Sequence, residues 1–149
     1  MPNSDSFTHG KELPAEIDAG IVALRARFGA RVDPGPMIYA GYSQGAGLAH
    51  TVVMKSPARF PRAIIIEGGA GGWSPKKFAQ QGGKRMLFAC GQAGCANAAK
   101  PAVAQFEKAG VPAKVRYAQG AGHIETGAVG KAIMEEWAWL VAGDPRWAP

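Results

Sequence analysis

The stretch PMIYAGYSQGA, residues 36–46, decides how the rest of the chain is read. Residues 37–40 form a short apolar run after the turn formers Pro34, Gly35 and Pro36, which predicts a buried strand. Residues 45–55 read as a helix that Pro57 stops. Between the two lie Gly41, Ser43 and Gly45 in G-x-S-x-G spacing. A chain of 149 residues with 21 glycines yields that spacing by chance roughly one time in ten, so its weight comes from the strand before it and the helix after it. On such a strand-turn-helix bend a serine is held in a strained conformation that lifts its hydroxyl above the sheet. The residues two before and two after then crowd each other, which predicts that only glycine fits at Gly41 and Gly45. The helix start adds partial positive charge, and the Gln44 N–H can donate to a developing oxyanion.

Working outward, Leu13, Ile17, Ile21, Leu24 and Phe28 recur at helical spacing, and residues 12–28 read as an amphipathic helix. Residues 63–66 are apolar throughout and rich in β-branched side chains, as in a strand buried on both faces, and a glycine-rich loop, residues 68–72, follows. A third strand is expected at residues 86–90, a helix ending near Gly110, a fourth strand at residues 113–118, and a final helix marked by Val129, Ile133, Trp137 and Leu140. Strands alternating with helices predict the α/β class: a three-layer α/β/α sandwich around a mainly parallel sheet, in one domain.

A serine nucleophile needs a base. His9 lies in a polar tail, and His50 lies seven residues beyond Ser43, about 10 Å along the helix. His123 follows the last strand in a loop at the carboxyl edge of the sheet, where catalytic groups of open α/β sheets gather, and it is the expected base. The competing readings are a surface serine in a glycine-rich turn and a loop histidine with no chemical role.

Composition removes other classes. Seventeen basic and eleven acidic residues give a net charge of +6, but the basic groups (Arg25, Arg27 and Arg31; Lys76 and Lys77; Lys84 and Arg85) are short and lack stacking aromatics. They read as a solvated surface, and no nucleic-acid partner is expected. The longest unbroken apolar run is residues 137–142, far below the roughly 18 to 20 residues of a membrane span, so a soluble protein is expected. Residues 1–10 carry no apolar signal-peptide core, and export would require sequence upstream of Met1. The loop 68–72 completes no G-x-G-x-x-G pattern, which argues against a nucleotide. Cys90 and Cys95 are too few for a zinc site and too far apart for a C-x-x-C redox pair. Two free thiols and a small-loop disulfide both stay open, the latter implying an oxidising compartment. No metal and no cofactor are expected.

The elbow GYSQGA and the late Gly-His loop resemble the C-terminal two-thirds of an α/β-hydrolase-fold serine esterase, and residues 41–46 are similar to the elbow of cutinases and related carboxylesterases. The resemblance extends over residues 12–140. It implies Ser43 as nucleophile, His123 as general base and then acid, and a small-molecule ester as substrate. In most of the family the triad acid follows the strand before the histidine strand, yet residues 91–97 contain no Asp or Glu. Cutinases bracket their acid between bonded cysteines, and Cys90 and Cys95 imitate the bracket without the acid. Glu67 is the substitute: a minority of lipases carry the acid at this strand, and a carboxylate after residues 63–66 emerges one strand from Ser43. Its competing role is a structural cap on the loop 68–72, and Glu125 is the weaker candidate for the acid. The family also places several strands before the elbow, whereas the 35 residues before Pro36 read as one helix. The expectation is an N-terminally truncated α/β-hydrolase domain, its first strand presenting a bare edge open to pairing with another chain. A second expectation, from a different class, is a non-catalytic hydrolase-fold module that binds a ligand or partner at the same edge.

Overall fold

Alternating side chains in the strands sort the molecule into three layers. In the computed structural model, which describes residues 11–147, four strands form one parallel sheet in the order β1-β2-β3-β4: β1 (Ile38–Tyr42), β2 (Arg62–Ile66), β3 (Arg85–Cys90) and β4 (Ala113–Tyr117). The segment 1–10, with His9 and the region read for a signal peptide, lies outside the described residues. The helices are α1 (Leu13–Phe28), α2 (Gln44–Val53), α3 (Pro75–Gln80), α4 (Ala93–Lys108), α5 (Gly127–Glu135) and α6 (Trp137–Val141). Ala63 and Ile65 of β2, with Met86 and Phe88 of β3, face α2, α3 and α4, where Val53, Phe78 and Phe106 close one core. Ile64, Ile66, Leu87 and Ala89 point the other way, onto Val129, Ile133 and Leu140 of α5 and α6. Every residue of β2 is buried, as a strand covered on both faces requires. Among the described residues no helix is long and apolar enough to cross a membrane.

The expected elements are present, with four differences. The first strand extends through Gly41 and Tyr42, which still pair with Ile65 and Ile66, so the bend begins at Ser43 itself. The stripe on α1 is covered only at its start: Leu13 is buried and Ile17 packs partly against the core, while Leu24 and Phe28 are about half exposed. Helix α1 passes the sheet and leaves its last two turns uncovered; β1, at the sheet edge, has no strand on its outer side among the described residues. The single helix expected at the C-terminal end is two, broken at Glu136, whose carboxylate is drawn to Lys114 at 2.6 Å and Arg116 at 3.0 Å on β4. Helix α3 has no counterpart among the expected elements, because its six residues carry one buried apolar side chain, Phe78, and so no period.

The end of the described chain is tied to the sheet by a buried cation. Arg62 opens β2 and donates through Nε to the Leu140 carbonyl at 2.8 Å and through its guanidinium to the Ala142 carbonyl at 3.2 Å and Asp144 at 3.3 Å. These bonds satisfy a charge that would be costly to bury alone.

Candidate active site

Three chain segments meet at the carboxyl edge of the sheet. Ser43 closes β1: its N–H donates to the Ile66 carbonyl at 2.9 Å as the last bond of the ladder, and its carbonyl accepts from Gly47 at 2.9 Å as the first bond of α2. Serving ladder and helix at once forces φ 50°, ψ −109° on a non-glycine residue, a conformation that costs about 1–3 kcal/mol and turns the hydroxyl away from both. Gly41 is required here, since a Cβ on it would lie 2.6 Å from the Gly45 carbonyl oxygen and 2.8 Å from the Tyr39 ring. The matching expectation for Gly45 is corrected: a Cβ there meets nothing within 4 Å, because the crowding falls on its carbonyl and its Cα hydrogens face open space.

Glu67 closes β2 in the same left-handed manner, with φ 54°. Its side chain is fully covered, at 0% exposure. One carboxylate oxygen accepts hydrogen bonds from the Gly91 N–H and, at 3.2 Å, from the Gln92 N–H; the other lies 3.3 Å from Nδ1 of His123. Of the readings left open for Glu67, the cap on loop 68–72 is not what the carboxylate does. That loop is held instead by Trp73, whose indole N–H donates to the Gly69 carbonyl at 2.7 Å while its ring packs on Phe106 and His50. His50 stays with α2, its Nδ1 3.1 Å from the Gly47 carbonyl.

His123 stands in the loop after β4 and bridges the other two. Its Nε2 lies 2.8 Å from Ser43 Oγ. With Nδ1 protonated toward Glu67, Nε2 presents a lone pair to the serine hydroxyl, which donates to it. The imidazole is about half exposed, so a substrate can approach the pair from solvent. Two contacts hold the loop. Gly122 N–H donates to the Gly91 carbonyl at 3.2 Å, and the Tyr42 hydroxyl donates to the His123 carbonyl at 2.7 Å, with the two rings 5.1 Å apart. Burial, then the carboxylates of Glu125 and Glu67, push the Tyr42 phenol up from its usual range. Glu125 itself is exposed, and the carboxylate beside Nδ1 is that of Glu67.

Cys90 and Cys95 are disulfide-bonded. The bridge runs from the end of β3 to the first turn of α4 and closes over Gly91 and Gln92, the two residues that donate to Glu67. Sequence reasoning missed these two donors, because a backbone N–H carries no side-chain signature. It also passed over Tyr42, whose place next to Ser43 was the available signal. Gln44 is the first residue of α2, so its N–H stands at the positive end of that helix. Among the described residues no three His, Cys, Asp or Glu side chains gather to hold a metal ion. A groove of about 400 Å³ runs between the start of α1 and the outer edge of β1 and reaches Tyr42 and Gly45, the neighbours of Ser43. A larger apolar recess of about 870 Å³ is lined by Trp137, Val141 and Trp147 on the α6 side and contains none of Ser43, Glu67 or His123.

No protein-family model matches the sequence, and no curated protein matches it. Among solved structures, the chain is similar to a variant of SOBER1 from Arabidopsis thaliana, with a TM-score of 0.54 at 20% sequence identity. The likeness covers 91% of this chain and 65% of the SOBER1 chain, so this chain spans less than two thirds of that structure's length. Four parallel strands flanked by helices make the architecture α/β, consistent with a partial α/β-hydrolase fold.

Proposed function

We propose that this chain is a serine hydrolase that cleaves carboxylic esters through an acyl-enzyme on Ser43. The observation that carries the reading is the relay of side chains at hydrogen-bonding distances, Ser43 Oγ to His123 Nε2 at 2.8 Å and His123 Nδ1 to Glu67 at 3.3 Å, drawn from the ends of three different strands. Oγ attacks the ester carbonyl carbon while Nε2 takes the hydroxyl proton. The carbonyl oxygen becomes an oxyanion stabilised by the Gln44 N–H at the start of α2. Collapse of the tetrahedral intermediate breaks the bond to the alcohol, which leaves with the proton from Nε2. Water then repeats the sequence: it gives a proton to Nε2, attacks the acyl carbon, and releases the acid as the proton returns to Ser43. Glu67 stays ionised throughout, fixes the Nδ1–H tautomer and stabilises the imidazolium. Every proton moves between substrate, water and these side chains, so the reaction as written calls on no cofactor.

Two specific observations favour a second reading, a hydrolase-fold module that binds a partner chain: the outer edge of β1, which no strand covers among the described residues, and the exposed Val22, Leu24 and Phe28 on α1. The same experiment separates the two. Under the hydrolase reading a fluorophosphonate probe labels the chain, labelling is lost in Ser43→Ala, and the same substitution abolishes turnover of short p-nitrophenyl esters. A folded chain that resists the probe and leaves these esters intact would refute it.

A further inference from the structure

We infer that the Cys90–Cys95 disulfide is a positioning device for Glu67, so that its redox state sets the rate of the proposed reaction. The inference rests on the hydrolase reading above and adds a residue pair outside the serine–histidine–glutamate relay. Glu67 extends from a single strand end whose backbone is itself in a left-handed conformation. Among the described residues, and apart from His123, its carboxylate is held only by the N–H groups of Gly91 and Gln92. Those two residues lie within the six-residue ring that the disulfide closes. Cys90, the last residue of β3, is fixed by the sheet and almost completely buried, and its carbonyl accepts from Ala118 at 2.8 Å. Cys95 lies in the first turn of α4 and is partly exposed. The bridge thus pins the start of α4 to the end of β3 and holds the intervening N–H groups against the carboxylate. Gly91 lacks side-chain bulk for a reason visible in the same place: a Cβ there would lie 2.2 Å from the Gly122 carbonyl oxygen. Gly91 brings no side chain to anchor this turn, so beyond the Gly122 hydrogen bond to its carbonyl the turn takes its shape from its two ends.

Reduction by dithiothreitol transfers two electrons and two protons to the cysteine sulfurs, breaking the S–S bond and leaving two thiols, while the reagent closes to its own cyclic disulfide. Attack is directed at the partly exposed Cys95 sulfur. Once the bridge is open, the turn at Gly91 and Gln92 keeps the Gly122 hydrogen bond and the packing of α4 on β3 but loses the covalent tie that closes it. The carboxylate loses its fixed cradle, and the imidazole loses the partner that fixes its tautomer. A displacement of about 1 Å in such a group costs on the order of 100-fold in rate.

The test compares kcat and KM for a fluorogenic short-chain ester on the full chain, oxidised and in excess dithiothreitol, in wild type, Cys90→Ser/Cys95→Ser and Glu67→Gln, with far-UV circular dichroism confirming that each stays folded. The expected result is a loss in kcat of about 100-fold on reduction with KM little changed, the same loss in the serine double variant without dithiothreitol, and no further response of that variant to the reagent. In Glu67→Gln, reduction removes less than about threefold, because the side chain that the cradle holds no longer supplies a carboxylate to the imidazole; coupled residues fail to add in this way. A proton NMR signal from the His123 Nδ1–H, present in the oxidised chain and lost on reduction, is the spectroscopic counterpart that a merely structural bridge would not move. If oxidised wild type hydrolyses the ester through Ser43 but reduction leaves kcat within threefold, or lowers it equally in wild type and Glu67→Gln, the disulfide inference is overturned and the hydrolase reading stands. If oxidised wild type shows no Ser43-dependent turnover or probe labelling, the hydrolase reading falls, and this inference falls with it.

Discussion

Replacing Glu67 by glutamine changes one atom and leaves the volume alone, yet the surroundings leave the new amide only one way to lie. An amide has an accepting oxygen and a donating nitrogen where the carboxylate had two acceptors. Gly91 and Gln92 both donate to the same oxygen of Glu67, so the amide oxygen must take that place; turned the other way, the NH2 group would face two N–H donors in a site with 0% side-chain exposure, at a cost of about 1–3 kcal/mol for the unpaired groups. The NH2 therefore points at His123 Nδ1. A donor there favours the tautomer in which Nδ1 is the acceptor and Nε2 carries the proton, and Nε2 can then no longer accept from Ser43. Fixing the wrong tautomer in an otherwise intact triad lowers kcat by about 10,000-fold, or about 5 kcal/mol of barrier. The assay is steady-state hydrolysis of p-nitrophenyl butyrate, with Glu125→Gln as the control expected to keep full activity. If Glu67→Gln remains folded and retains kcat within tenfold of wild type, the assignment of Glu67 as the triad acid is wrong.

Other substitutions probe the surrounding frame. Gly41→Ala places a methyl against the Gly45 carbonyl and is expected to cost about 1–3 kcal/mol as an overpacked site, whereas Gly45→Ala enters open space inside α2 and gains up to about 1 kcal/mol of helix propensity; urea midpoints at constant m separate them. Tyr42→Phe removes the hydroxyl that donates to the His123 carbonyl, with an expected loss of about 1 kcal/mol and a several-fold fall in kcat at unchanged KM; full kcat would show that the loop needs no such latch. Asp144 is held at a pKa of about 2 by the Arg146 guanidinium, with Arg62 contributing. A depressed carboxylate stabilises the fold above its unfolded pKa and ceases to as pH falls through the folded one. The Tm deficit of Asp144→Asn should therefore be complete above about pH 5, narrow as the pH drops further, and vanish only below about pH 2; a deficit constant over that range would contradict the pairing.

The parts of the site that were legible in the sequence were those in which backbone and side chain obey one local rule. Residues 37–46 announce the strand, the bend and the helix together, and the uniformly apolar residues 63–66 announce a strand buried on both faces, which placed Glu67 at the edge where it is found. His123 came by elimination among three histidines and by its position after the last strand. What stayed hidden depends on distant partners. Helix α1 has its apolar stripe, but whether Leu24 and Phe28 are covered depends on what lies beside β1, and no periodicity reports that. The break at Glu136 reflects charges on β4, twenty residues upstream in the case of Arg116. The cradle of Glu67 is built from main-chain N–H groups, which every sequence possesses at every non-proline position.

Ser43 and Glu67 are non-glycine residues in left-handed backbone conformations at the ends of adjacent strands, and this makes the two positions poor targets for improvement by heat selection. Glycine would relax the bend at Ser43 by an amount comparable to the gain from a good stabilising mutation while deleting the hydroxyl; at 67 the same relief is offset by the two N–H groups that would lose their acceptor. A library screened for thermal endurance alone should therefore enrich glycine at 43 and return sturdier, inert chains, whereas one screened for turnover should keep both strained residues and find its gains elsewhere.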